Sequence, residues 1–197
     1  MFHNFSNWVK AAARSPLARN RFGRIVKAAA VGGVLQLGVF HVEQYESPGG
    51  LLVAKFRITN AATTEGLNYL LGAGFKGASA TSTWYLGLIN GSGYTAVAAA
   101  DTMSSHAGWT ENTAYSQSTR PTWSAGTVAS ASLPTSSASA YTVNADGTVR
   151  GIFVTSNSTK SGTTGTLWAT AVEASNRSVT NGQSLQVYYT NSLTAVS

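Results

Sequence analysis

Cysteine is absent from the 197 residues. Neither a disulfide framework nor a thiolate metal site is available, so stability rests on packing or oligomerisation. Charge is scarce as well. Asp, Glu, Lys and Arg make up 10% of the chain, against about 25% in an average soluble domain. Seven acidic residues and three histidines leave few candidates for acid–base or metal chemistry. Long hydrophobic runs are also missing. The most apolar window, residues 28–42, is interrupted by Gly32, Gly33 and Gln36, and falls short of the roughly 20 apolar residues that cross a bilayer. No membrane span is expected. No signal peptide is expected either: the basic lead would be unusually long, and no small-x-small site precedes His41 and Glu43.

What charge there is sits at one end. Lys10, Arg14, Arg19, Arg21, Arg24 and Lys27 face no acidic residue over the first 27 positions, while residues 28–197 hold seven basic and seven acidic residues. The formal net charge of +6 therefore belongs to a cationic N-terminal extension on a neutral body. Such an extension engages something outside its own domain. The body is instead rich in Ser, Thr, Ala, Gly and Asn. That surface suits a protein whose faces are covered by neighbours in an assembly.

The extension reads as an amphipathic arm over residues 1–33. Ser15 and Pro16 mark a helix start, as N-cap and first helical residue. Ala18, Phe22, Ile25, Val26 and Ala29 then recur with a helical period, with the cations on the flanks, and Gly32–Gly33 ends the run. A shorter helix is expected near residues 7–14, carrying Trp8 and Val9.

From residue 34 the period changes to two. Residues 34–42 and 51–59 flank the turn cluster Ser47-Pro48-Gly49-Gly50 and predict a hairpin, with Leu52, Ala54, Phe56 and Ile58 on one face. Residues 63–71 predict the one body helix: Thr63 or Thr64 caps it, Glu65 sits in its first turn, and Gly72 and Gly74 stop it. Strands are expected over 83–89, 110–115, 120–123, 138–143, 149–155, 166–172 and 184–189, separated by Gly/Ser/Asn/Thr loops. Residues 125–139 are low in complexity but too short to divide domains. The fold class predicted is mainly β: an antiparallel β-sandwich, jelly-roll-like, over residues 34–197, with one short helix and the N-terminal helical arm before it.

Chemistry is sparse. Asp101, Ser104, Ser105 and His106 crowd into six residues, yet a catalytic triad is usually assembled from separate elements, and no Gly-x-Ser-x-Gly elbow accompanies them. Residues 101–103 read better as a capped helical turn, with Ser and His satisfying loop backbone. His41 reads as a half-exposed sheet residue. No His-x-His, His-Glu-x-x-His or calcium-loop spacing occurs, and no Gly-rich loop precedes a helix to hold phosphate. No enzyme activity, metal or cofactor is expected. Trp84, Trp109, Trp123 and Trp168 lie in or beside strands. They could form a sugar-binding row, but aromatics in alternating strands are more often core.

Residues 65–71 (EGLNYLL), 83–89 (TWYLGLI), 99–109 (AADTMSSHAGW) and 165–171 (GTLWATA) form a distinctive set. Over roughly residues 60–190 the chain resembles a family of small virion structural proteins encoded by tailed bacteriophages. The resemblance implies a particle component and carries no catalytic residue. Together with the composition, it leads to the expectation of a capsid decoration (cement) protein in the phage head. The expected partners are the major capsid protein or another virion protein, and further copies of the chain, a trimer being favoured. The arm residues expected to bind a partner are Trp8, Arg14, Arg19, Arg21, Phe22, Arg24 and Lys27: cations against an acidic surface, Trp8 and Phe22 as apolar anchors. Three alternatives stand beside it: a tail, collar or fibre-attachment component; a glycan- or receptor-binding module using the aromatics; and an arm touching packaged nucleic acid.

Overall fold

Eleven strands and one helix account for the regular structure of residues 33–196, the part of the chain that this computed structural model describes. Apart from Gly33, the expected arm lies outside the described residues, and with it Trp8, Arg14, Arg19, Arg21, Phe22, Arg24 and Lys27.

The hairpin forms where the period of two places it. β1 (Gly33–Tyr45) and β2 (Leu52–Ala62) pair antiparallel with Val39 opposite Thr59 and Gln44 opposite Ala54. Phe40, Val42 and Ile58 are buried, while His41, Lys55 and Arg57 on the other face are exposed. His41 is thus a surface residue. The turn closes through Gly50 N–H to Ser47 O (2.9 Å) and Glu46 N–H to Leu51 O (2.9 Å).

Helix α1 (Thr64–Phe75) follows directly. The Thr63 hydroxyl accepts from Gly66 N–H at 2.9 Å, the N-cap read from sequence, and it also bonds Leu167 O. Glu65 accepts from Leu167 N–H at 2.8 Å and ties the first turn to the sheet. Gly66 is obligatory here, because a Cβ would overlap the Trp168 carbonyl. The helix outruns its expected end. Gly72 and Gly74 lie inside it, and Lys76 N–H closes the end on Gly72 O at 3.0 Å. Two interior glycines cost about 1 kcal/mol each. Packing of Leu70 on the core and the Tyr69 ring edge-on to Trp84 at 5.2 Å offset that cost.

The remaining strands are β3 (Tyr85–Asn90), β4 (Glu111–Asn112), β5 (Ser124–Ala125), β6 (Ser132–Leu133), β7 (Thr135–Ser137), β8 (Ser139–Thr142), β9 (Gly147–Thr155), β10 (Leu167–Val179) and β11 (Ser184–Val196). Nine of the eleven build one antiparallel sheet in the order β4-β3-β9-β10-β2-β1-β11-β6, with β8 also on β11; β5 and β7 make a separate ribbon. β2 joins β10 only through residues 60–62 against 169–171. On its other side β10 pairs with β9, with a register shift between Val172 and Arg177. Arg177, paired with Glu173 (3.0 and 2.6 Å), lies 3.7 Å from the Phe56 ring centroid.

The sheet curls. Leu86 N–H bonds Pro121 O and Trp123 N–H bonds Trp84 O, which lays residues 121–123 along β3. From the other end, Ser139 on β8 donates to Thr122 O (2.7 Å), and Tyr141 donates to Leu86 O (2.7 Å). Phe40, Leu86, Tyr141, Val154, Val187 and Tyr189 fill the inside of the curl. A second cluster, Ile89, Met103, Trp109, Phe153 and Leu167, packs on the opposite face of β3, β9 and β10.

Two expected strands shrink. Residues 110–115 keep β4 and an isolated bridge at Tyr115, and 120–123 keep a bridge at Thr122. Pro121 has no N–H for a ladder, and Arg120 turns inward to a buried carboxylate. The low-complexity stretch 125–139 instead carries β6 and β7, joined to β5 by a turn in which Ser130 and Ala131 have φ of 49° and 55°. The capped helical turn expected at residues 101–103 is a tight β-turn, with Thr102 and Ser105 bridged.

Candidate functional site

A cleft of about 230 Å³ opens beside β4, between the 101–109 loop and the 157–165 loop. Its floor is an ion pair. Arg120 donates through Nε to Glu111 Oε1 at 2.9 Å and through Nη2 to Oε2 at 2.8 Å. The two side chains are 1% and 6% exposed. Arg120 also donates to Asn157 O (2.8 Å) and Gly162 O (3.1 Å), and Glu111 accepts from Ser161 N–H (2.6 Å). Ser161 sits in the left-handed region, φ 56°, and so presents that N–H. The pair therefore clasps the 157–165 loop to the body. Next to it, burial and then the Glu111 charge push the Tyr115 hydroxyl far above its ordinary range. Burial lowers the Lys160 ammonium, which donates to Tyr115 O (2.6 Å) over the Tyr115 ring.

The same cleft holds the Asp101–His106 segment, but not as a relay. Asp101 Oδ2 accepts from Trp109 Nε1 (2.9 Å) and Ala98 N–H (2.9 Å). His106 stacks on Trp109 at 4.0 Å and bonds Trp109 O through Nδ1 (2.9 Å). Asp101 does not orient His106, and His106 serves loop backbone as its sequence setting suggested. With both Glu111 carboxylate oxygens and four Arg120 guanidinium bonds committed, the ion pair holds a loop in place. Among the described residues no group of three or more His, Asp or Glu gathers to hold a metal.

Three of the four tryptophans weighed as a sugar-binding row are core, the role that alternating strands favoured. Trp109, Trp123 and Trp168 are 2%, 7% and 6% exposed. Their Nε1 groups are satisfied by Asp101, by the Thr135 hydroxyl at 2.8 Å and by Tyr189 at 3.1 Å. Trp84 is half-buried between Tyr69 and Trp168.

No family model matches the chain, and no curated protein matches it.

What the described surface does display is an unpartnered apolar stripe. Leu67, Leu71 and Phe75 recur every four residues along α1, and they are 42%, 55% and 85% exposed. The inner face of the helix is engaged through Gly66, Tyr69 and Leu70. The outer face therefore carries large apolar side chains that remain substantially open to solvent. Contiguous exposed apolar side chains on a soluble domain mark contact sites. Residues 76–80, which follow, are exposed as well and include Gly77, Ala78 and Ala80. A smaller group, Leu51, Leu52 and Val53, is exposed at the tip of the β1–β2 hairpin. No helix among the described residues is long and apolar enough to cross a membrane.

The stripe was readable in principle. Leu67, Leu71 and Phe75 hold i, i+4, i+8 spacing, and the signal was lost because the helix was expected to stop before Phe75. The Glu111–Arg120 clasp had no local sequence signal, since its partners in the 157–165 loop lie about 40 residues downstream.

Proposed function

We propose that the chain is a non-enzymatic virion structural protein, a capsid decoration (cement) protein of a tailed-phage head that binds major capsid subunits and neighbouring copies. The observation that carries this reading is the exposed apolar stripe on α1 of a charge-poor body. Phe75 at 85% exposure is costly on a free protein and useful on one held in an assembly. The resemblance of residues 60–190 to phage virion proteins points the same way. On this reading the curled sheet is a jelly-roll-like sandwich, and the cationic arm reaches a neighbour. The weak arm contact then acts at high effective concentration once the body has docked.

Quantifying the chain in purified particles tests the proposal. A decoration protein is present in hundreds of copies, whereas a tail or collar ring holds roughly six to eighteen, by closed-ring symmetry. Absence from the particle overturns both.

A further inference from the structure

We infer that Arg150, held over Tyr94, is the receptor for one oxyanion, a carboxylate or phosphate group, that no described residue of this chain supplies. The inference stands apart from the decoration role above, and its test needs no particle.

Three arginines of the body lie over aromatic rings. The Arg120 guanidinium is 5.1 Å from the Phe153 ring centroid, that of Arg177 is 3.7 Å from Phe56, and that of Arg150 is 4.8 Å from Tyr94. In the first two a carboxylate closes the fork: Glu111 takes Nε and Nη2 of Arg120, and Glu173 takes Nε and Nη2 of Arg177. Arg150 repeats the cation on the ring without the carboxylate. Its Nε is buried with no hydrogen-bond partner, and it joins no ion pair among the described residues. The other carboxylates are committed elsewhere. Glu43 holds Lys55, Glu65 accepts from Leu167 N–H, Asp101 from Trp109 Nε1 and Asp146 from Asn181 N–H. Glu46, the last, lies in the β1–β2 turn.

The backbone also sets Arg150 apart. On β3, Ile89 pairs with Gly151 and Asn90 with Val149. On β10, Val172 pairs with Gly151 and Arg177 with Val149. Both flanking strands therefore skip Arg150. A bulge re-aims the side chain it carries, and bulges gather beside functional sites. Tyr94, packed on the cluster of Ile89 and Phe153, receives the guanidinium. Stacking fixes the plane of the cation. With Nε enclosed and the side chain half-buried, the Nη1–Nη2 end of the fork is left to take two oxygens of a carboxylate or phosphate. Partial burial of a cation without a counter-ion costs the free chain stability, and a bound oxyanion restores it.

Thermal unfolding of the full-length chain in phosphate against chloride, at equal ionic strength, reads the site. Phosphate stabilises proteins generally through exclusion from their surface, so Arg150→Met sets the baseline. For a dissociation constant of about 10 mM, roughly 100 mM phosphate should raise the Tm of the native chain about 3 °C more than that of Arg150→Met. In chloride, Arg150→Met should melt no more than about 2 °C below the native chain, because it removes a cation that lacks a partner. Arg150→Lys keeps the charge without the fork and should lose most of the increment. Acetate in place of phosphate identifies the group: an increment in acetate assigns a carboxylate, and one in phosphate alone assigns a phosphate group. Equal gains for the native chain and Arg150→Met in both salts overturn the site. A full gain in Arg150→Lys overturns the fork, since diffuse charge then accounts for it. A larger fall of Arg150→Met in chloride means that Arg150 is bonded within its own chain, which also overturns the inference.

Discussion

Replacing Arg120 by Met keeps an unbranched side chain in the buried site and removes the charge. In the native chain Arg120 makes four hydrogen bonds between 2.8 and 3.1 Å, two to Glu111 and two to carbonyls of the 157–165 loop. After substitution the Glu111 carboxylate, 6% exposed, keeps the Ser161 N–H at 2.6 Å and a long contact to the Tyr115 hydroxyl at 3.5 Å. Stranding one partner of a buried ion pair costs about 3–5 kcal/mol. For a body of this size each kcal/mol lowers Tm by about 2–4 °C, so Arg120→Met should melt roughly 10 °C lower and shift the urea midpoint accordingly. The double variant Arg120→Met/Glu111→Leu removes the stranded charge and should recover about half of the loss, because paired apolar replacements of buried ion pairs are often tolerated. Urea unfolding of wild type, both single variants and the double variant forms the cycle that measures the coupling. A loss under about 1 kcal/mol for Arg120→Met, the range of exposed pairs, would refute the clasp. So would a double variant as unstable as the two single losses added together.

Other consequences can be measured on the same material. Burial raises the pKa of Tyr115, Tyr141 and Tyr189; a group raised in the folded state stabilises it fully below its unfolded pKa of about 10 and loses that contribution as pH rises. Stability should therefore fall by up to about 4 kcal/mol per pH unit above pH 10, and tyrosinate absorbance should show three of the eight tyrosines ionising only with unfolding; smooth titration of all eight below pH 11 would contradict the burial. Gly66→Ala should cost about 2 kcal/mol in denaturant unfolding, since its Cβ meets the backbone of Trp168, and a neutral result would mean that α1 is not seated as described. Phe75→Ser should leave Tm within about 1 °C, because so exposed a side chain contributes little to the fold; a large fall in Tm would show that Phe75 packs within its own chain.

Where local rules and packing agree, the sequence was sufficient. The alternation of Phe40, Val42 and Ile58 with His41, Lys55 and Arg57 placed β1 and β2. Thr63 and Glu65 placed the start of α1, because capping is settled within four residues. The end of α1 was not legible: two glycines look like a stop until the core contacts of Tyr69 and Leu70 are known. Likewise residues 110–115 and 120–123 have strand composition, but their conformation follows the buried meeting of Glu111 and Arg120 with a distant loop. The Asp101–His106 segment shows the opposite case. Its spacing invited a relay, and the bond from Trp109 to Asp101, a tertiary contact, gives it a structural role. The arm, which carries the charge and the expected partner-binding residues, rests on sequence alone.

The proposed role, a body covered by neighbours in a particle, is tested most directly by absolute quantification of the chain against the major capsid protein in purified virions. On the order of hundreds of copies are expected, in a fixed ratio to the shell subunits. Particles that lack the chain, with all of it recovered as free protein from the lysate, would contradict it.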